Sequence, residues 1–151
     1  MPIETKSHLN ASTLEAVQEL YAANMGSRSF YEEAAKRVDS RVAAQLFREV
    51  AVERETLARE LEEYLGVGDE KESGTWKDSL HETWTKLRGL LNGGDLKVLL
   101  IETERAEDRI KARYESTPKD TAGSALNDVL QRQHRIVKAR HDRIRDLRDS
   151  V

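Results

Sequence analysis

The feature that most constrains the fold is a helical spacing of apolar residues that continues along almost the whole chain. Apolar residues recur at steps of three and four, which is the period of one helix face, and no useful strand-like alternation interrupts them. Only 2 prolines and 8 glycines punctuate the 151 residues. The pattern predicts an all-α fold in a single domain, 1–151, with helices at about 12–38, 40–65, 75–91, 95–116 and 118–149.

The lengths of the connections predict how these helices are joined. The breaks at residues 39–40 and 117–118 are short, so each should join two long helices in an antiparallel hairpin. Between the hairpins lie residues 66–94, a connection long enough to run along a bundle and to carry a short helix. We therefore predict a four-helix bundle of two antiparallel hairpins joined by a long crossover, with Trp76 and Trp84 packing the short helix onto it.

The composition excludes several classes of protein. No apolar run approaches the ~20 residues of a membrane span, so we expect no membrane association. The absence of cysteine excludes disulfides, zinc knuckles and thiol nucleophiles. Residues 1–10 lack the apolar segment of a secretory signal, and we expect a cytoplasmic location.

The charges are nearly balanced overall but uneven along the chain. A net charge of -3 gives no general attraction to nucleic acid. In residues 131–148, however, seven basic residues accompany only two acidic ones. Such a stripe is typical of a solvated helix face paired with acidic neighbours. The alternative is phosphate or nucleic-acid binding, which we do not favour because the stripe lacks glycine-rich loops and interleaved aromatic residues.

Polar residues interrupt the apolar faces near the middle of all four long helices. In the second helix, for example, Glu53 falls between Val50 and Leu57 in a stripe that begins at Val42 and Leu46. Burying an unpaired polar group costs about 1–3 kcal/mol, so these positions are candidates either for a metal or small-molecule site or for a buried hydrogen-bond network that fixes helix register. The predicted layer consists of Asn24, Ser27, Glu53, Thr56, Thr103, Glu107, Gln133 and His141.

Counting metal ligands separates the alternatives. A dimetal carboxylate centre in a helix bundle needs four carboxylates and two histidines, with Glu-x-x-His on two helices. No Glu-x-x-His occurs in the chain: residues 53–56 end in a threonine, and residues 138–141 begin with a lysine. The remaining metal hypothesis is one divalent Fe or Mn ion held by Glu53, Glu107 and His141, with water completing the shell.

Several segments carry a resemblance to a known family and occur in order within residues 9–149. They are residues 26–35, 84–87, 93–95, 102–108 and 139–144. Through them the chain resembles the ferritin-like superfamily, and more closely a bacterial family of uncharacterised ferritin-like four-helix-bundle proteins distantly related to rubrerythrin. The resemblance implies a ferritin-like bundle that pairs side by side as a homodimer.

The resemblance also implies positions for metal ligands in the first and third long helices. The rubrerythrin-like pattern has a glutamate seven residues before a tyrosine in each. Glu107 stands seven residues before Tyr114 and matches. Asn24 stands seven residues before Tyr31 and does not match, because an amide replaces the carboxylate.

The other two long helices are equally incomplete. The pattern Glu-Arg-Glu-His of the second helix ends here in Thr56, and the fourth helix keeps His141 but has Lys138 in place of a glutamate. Half of the implied ligand set is therefore missing. The resemblance therefore implies a degenerate diiron-type centre. From the missing ligands and the heavily charged exterior we predict a non-catalytic protein with a stress-related or interaction role.

Overall fold

The computed structural model describes residue 9 and residues 11–65, 74–117 and 125–151, with side chains in the third helix described from Glu82 onward. This part of the chain is all-helical and contains no strand, which confirms the prediction of an all-α protein. None of its helices is both long and apolar enough to cross a bilayer. The helices are α1 (Ala11–Arg37), α2 (Arg41–Glu62), α3 (Gly74–Gly89), α4 (Leu96–Glu115) and α5 (Ala125–Ser150).

Two of the predicted helix starts are fixed by side-chain caps. Ser40 Oγ accepts a hydrogen bond from the Ala43 N–H at 3.1 Å at the start of α2. Asp95 Oδ1 accepts one from the Lys97 N–H at 2.7 Å at the start of α4. Each cap satisfies a backbone donor that the first helical turn leaves free. Gly93, just before the second cap, has φ 88°, a left-handed conformation that favours glycine.

The long helices associate in antiparallel pairs. α1 packs along α2, where Arg28 meets Glu55 and Phe30 meets Phe47. α4 packs along α5, where Tyr114 meets Gln133 and Glu104 meets Arg148. Between α1 and α4, Asn24 contacts Tyr114 and Tyr31 contacts Glu107, so the partners follow in opposite order and the two helices are antiparallel. Since α2 also runs opposite to α1, α2 and α4 point the same way. The connection between them must therefore return along the length of the molecule, and it carries α3.

The short helix α3 is anchored by Trp84, as predicted. The indole is 4% exposed and stacks on the Phe30 ring, with centroids 5.7 Å apart and planes 21° from parallel. It lies directly over Gly26 of α1, where a Cβ atom would meet the indole Nε1 at 2.2 Å. Gly26 thus gives Trp84 room to approach the α1 backbone. Two predictions fall outside the described part of the structure: the packing of Trp76, whose side chain is not described, and the helix start at residue 118.

Gly26→Ala is expected to destabilise the protein by about 1–3 kcal/mol, because the new methyl group overlaps a rigid indole ring. In an exposed helix the same change usually stabilises by up to about 1 kcal/mol, so the sign tests the contact. Urea unfolding followed by circular dichroism measures it. Gly89→Ala is the matched control, since a Cβ there meets nothing within 4 Å. A Gly26→Ala protein as stable as that control would contradict the prediction.

Candidate functional site

Six of the eight residues predicted to form the polar layer are buried, among them Glu107 and His141, which are described below. Asn24, Ser27, Thr103 and Gln133 are all fully buried. Ser27 Oγ donates to the Ala23 carbonyl at 2.9 Å, and Thr103 Oγ1 donates to the carbonyl one turn before it at 2.7 Å. These two hydroxyls are therefore satisfied within their own helices.

Thr56, predicted to belong to the same layer, is instead exposed. Its hydroxyl donates to the Val52 carbonyl of its own helix at 3.2 Å. Leu46, Val50, Leu57 and Leu61 of the predicted stripe are buried as expected, whereas Val42 at its start is 59% exposed. The buried face extends instead toward Ala43 and Phe47, which are fully buried, and Thr56 lies outside it.

The centre of the interior contains an ion pair between Arg54 of α2 and Glu107 of α4. Both side chains are fully buried, and Arg54 Nη2 donates to Glu107 Oε1 at 2.8 Å. The Tyr31 hydroxyl of α1 donates to the same carboxylate oxygen at 2.5 Å. The guanidinium carbon also lies 6.0 Å from the centroid of the Tyr31 ring. One cluster therefore joins three helices through two charges and a phenol.

A chain of hydrogen bonds lies beside this pair and extends to the fourth long helix. Asn24 Nδ2 donates to the Tyr114 hydroxyl at 2.9 Å, and the Tyr114 hydroxyl donates to Gln133 Oε1 at 2.7 Å. Gln133 Nε2 donates in turn to Glu60 Oε1 at 2.7 Å and to the Leu57 carbonyl at 3.2 Å. The polar residues of the interior thus fix the register of all four long helices.

The interior perturbs the titration of its phenols and of Arg54. Burial raises the pKa of Tyr31 well above its usual value, and the neighbouring Glu107 charge adds to the effect. Burial also raises the pKa of Tyr114. For Arg54, burial opposes the charged form, but the Glu107 charge and hydrogen bond help to raise its pKa above the ordinary value. The guanidinium therefore stays charged inside the protein.

This polar cluster is not fully satisfied. Among the described residues, Asn24 Oδ1, Arg54 Nε and Nη1, and Glu107 Oε2 are buried and have no hydrogen-bond partner. Buried ion pairs contribute little net stability unless their remaining donors and acceptors are also bonded. The pair therefore acts mainly as a specific contact between α2 and α4, one that becomes costly when either partner is lost.

The structure does not bring together the three residues of the predicted mononuclear metal site. Glu53 is partly exposed and accepts from Arg140 Nε of α5 at 3.0 Å. Glu107 is bonded to Arg54 and Tyr31, as described above. Among the described residues, the histidine and acidic side chains whose ligand atoms lie within 4.8 Å of one another are Glu104, Asp108 and His141. His141 is thus beside two carboxylates of α4 that the sequence prediction did not include.

The interior residues do not fit the dimetal centre that the resemblance implies. The Arg54 charge lies 2.8 Å from the one matching carboxylate, Glu107, and would repel a metal cation at the same oxygen. Thr56 is exposed, and Lys138 is 56% exposed at its side chain and pairs with Asp142. Among the described residues, the carboxylates at the positions that the pattern assigns to ligands are Glu107, paired with Arg54, and Glu53, paired with Arg140.

Arg54 is the central residue that the sequence prediction missed. Positions 53 and 54 both lie three or four residues from Val50 and Leu57, so those apolar residues alone do not distinguish them. Phe47 could have done so, because residue 54 lies seven positions after it and hence on the same helix face.

The basic stripe of residues 131–148 is extensively paired. Arg132 contacts Glu60 and Arg140 contacts Glu49 and Glu53, all on α2. Three more basic residues of the stripe also pair with acidic residues: Lys138 with Asp142, Arg145 with Asp146, and Arg148 with Glu104 of α4. This is the arrangement expected of a helix face paired with acidic neighbours.

Comparison with known proteins finds one family. The family described as Domain of unknown function (DUF2383) matches residues 12–120, well over half of the chain. The match includes Tyr31, Arg54 and Glu107, whereas Gln133 and His141 lie beyond it. No curated protein and no solved structure matches the chain.

Proposed function

This chain belongs to the family described as Domain of unknown function (DUF2383), and on that premise we propose that it is a non-catalytic, ferritin-like four-helix bundle. In this proposal a buried ion pair takes the place of a metal centre. The ferritin-like form is supported by the antiparallel α1–α4 contacts, which make α2 and α4 parallel and require a long return connection. One long crossover of this kind is characteristic of ferritin-like bundles.

The observation that carries the proposal is the position of Arg54. In dimetal bundles, carboxylates projecting into the core hold the bound cations. Here the Glu107 carboxylate receives the guanidinium of Arg54 at 2.8 Å and the Tyr31 hydroxyl at 2.5 Å. The carboxylate is thereby neutralised by the chain itself. The interior needs no metal to hold α1, α2 and α4 together, and the positive charge of Arg54 repels a metal cation at Glu107.

Because this proposal leaves the interior without redox chemistry, we assign the role of the protein to its surface. We propose an interaction or oligomerisation role, with the side-by-side homodimer implied by the resemblance as its first form. Sedimentation velocity on the full chain tests this form directly. The basic stripe carries no second proposal, because the arginines described above pair with acidic residues of the same chain.

The proposal predicts that the protein does not catalyse the oxidation of Fe²⁺. When Fe²⁺ is added aerobically to the metal-free chain, ferric product should form no faster than in buffer alone. The physical reason is that the positive charge of Arg54 already occupies the position beside Glu107 where a dimetal site would hold a metal cation, and it repels such a cation. The absorbance of the ferric product measures the rate, and metal analysis after desalting measures the bound iron. Two iron ions per chain with catalytic turnover would contradict the proposal.

A further inference from the structure

We propose that Glu104, Asp108 and His141 form a binding site for one divalent transition-metal ion where α4 meets α5. This site is separate from the interior pair of Arg54 and Glu107, and it does not depend on the function proposed above. It involves residues of α4 that neither the helical pattern nor the resemblance selected.

The geometry of the three side chains suits a shared ion. Glu104 and Asp108 are one turn apart on α4, so they face the same way, and His141 approaches from α5. His141 Nε2 lies 2.7 Å from Asp108 Oδ1 and 3.6 Å from Glu104 Oε1. Two ligand atoms that each lie about 2.1 Å from one ion are about 3.0–3.4 Å apart at octahedral or tetrahedral angles. All three ligand atoms lie within 4.8 Å of one another, so side-chain movements that shorten the longer separations bring them to one ion.

The state of the His141 ring is a second, independent indication. His141 is only 7% exposed, and its Nε2 is a buried atom without a hydrogen-bond partner among the described residues. The short approach of Asp108 Oδ1 does not satisfy it, because the two groups lack the alignment of a hydrogen bond. A buried nitrogen thus lies close to two carboxylates without being hydrogen-bonded to either.

The other ring nitrogen of His141, Nδ1, has a carboxylate neighbour of the kind found beside many metal-binding histidines. His141 Nδ1 lies 3.0 Å from Asp142 Oδ1. When Nδ1–H donates to that carboxylate, Nε2 carries the lone pair. Histidines that bind metals commonly donate their second ring N–H to a carboxylate, which fixes both the tautomer and the ring orientation.

The surroundings define access and the class of ion. The Asp108 side chain is 54% exposed, so an ion can reach the site from solvent. Arg148 bonds to Glu104 Oε2 and weakens the attraction of that carboxylate for a cation, while Oε1 remains free of that bond and lies 3.6 Å from His141 Nε2. One imidazole nitrogen and two carboxylate oxygens suit Zn²⁺, Mn²⁺ or Fe²⁺, with water in the open positions, better than a soft ion such as Cu⁺.

Titration of the full-length, metal-free chain with Zn²⁺ in a calorimeter tests the proposal. We expect saturable binding of one ion per chain. Asp108→Asn and Glu104→Gln should each weaken binding by at least about tenfold, the scale on which groups around a metal affect its affinity. Asp108→Asn is the safer variant for folding because the side chain is half-exposed.

Two matched variants control for the general loss of a negative charge. Glu53→Gln makes the same change as Glu104→Gln at a residue that pairs with Arg140, and Asp146→Asn makes the same change as Asp108→Asn on α5. Neither should alter the affinity. Heteronuclear NMR should show Zn²⁺ shifting the His141 Nε2 resonance more than the Nδ1 resonance.

Each alternative outcome overturns the proposal. If His141 is only an imidazolium paired with its carboxylates, no saturable Zn²⁺ binding will be seen. Binding that Glu53→Gln or Asp146→Asn weakens as much as the site variants would reflect general electrostatic attraction. Failure of this metal-site proposal can be distinguished from failure of the proposed function. If the Asp108→Asn protein still bound additional Fe²⁺ ions and oxidised them, only the proposed non-catalytic function would be overturned.

Discussion

Glu107→Gln is expected to lower the free energy of unfolding by about 3–5 kcal/mol, the usual cost of removing one partner of a buried ion pair. The substitution keeps the shape of the side chain but leaves the Arg54 charge, which is fully buried, without its counter-charge. Arg54 cannot shed that charge, because an arginine does not deprotonate in proteins. Urea denaturation followed by circular dichroism measures the loss on the purified full-length chain.

Two further variants make the result specific to the buried pair. The double replacement Arg54→Met with Glu107→Leu should recover most of the stability, because apolar residues of similar volume often replace buried ion pairs without net cost. Glu62→Gln breaks the exposed contact with Arg59, whose atoms are also 2.8 Å apart, and should leave stability within experimental error of the wild type. Equal effects from Glu107→Gln and Glu62→Gln would contradict the assignment of Arg54 to the core.

Alkaline pH is expected to destabilise the protein steeply through Tyr31 and Tyr114. Burial raises the pKa of both phenols in the folded state, whereas in the unfolded chain they titrate near their ordinary pKa of about 10. Above that pH the unfolded state releases protons that the folded state retains, so stability must fall as pH rises. Below that pH the contribution is fully present. Each phenol adds a slope of about 1.4 kcal/mol per pH unit.

The alkaline effect can be measured in two ways. Unfolding free energies between about pH 9 and pH 11.5 give the slope, and phenolate absorbance gives the titration of the folded protein. Tyr31→Phe and Tyr114→Phe should each remove about half of the slope, measured relative to each variant's own stability near neutral pH. If both phenols ionise near pH 10 in the folded chain, or if neither substitution changes the slope, the assignment of the two tyrosines to buried environments is wrong.

The sequence by itself determined the features that depend on local physics. The period of the apolar residues predicts helices, and the predicted starts of the second and fourth helices fall at Ser40 and Asp95, residue types that cap helix N-termini. In the structure both side chains accept a backbone N–H there. The anchoring of α3 by Trp84 was also predictable, since the large apolar surface of an aromatic residue on a short amphipathic helix is most readily buried against the neighbouring helices. Buried polar residues could be anticipated at Asn24 and Gln133 because they interrupt otherwise apolar faces.

Only the tertiary structure decided which charged residues meet. The helical period of 3.6 residues admits either position 53 or position 54 on the inner face of α2, and the packing of α1 and α4 selected Arg54. The pairing with Glu107 joins residues 53 positions apart, and the approach of His141 to Asp108 depends on how α4 and α5 align. Adjacent positions of α2 thus hold a partly exposed carboxylate that the sequence predicted as a ligand and a buried cation that it did not predict. The reason is that the sequence sets the period of a helix, whereas its neighbours decide which side of it is buried.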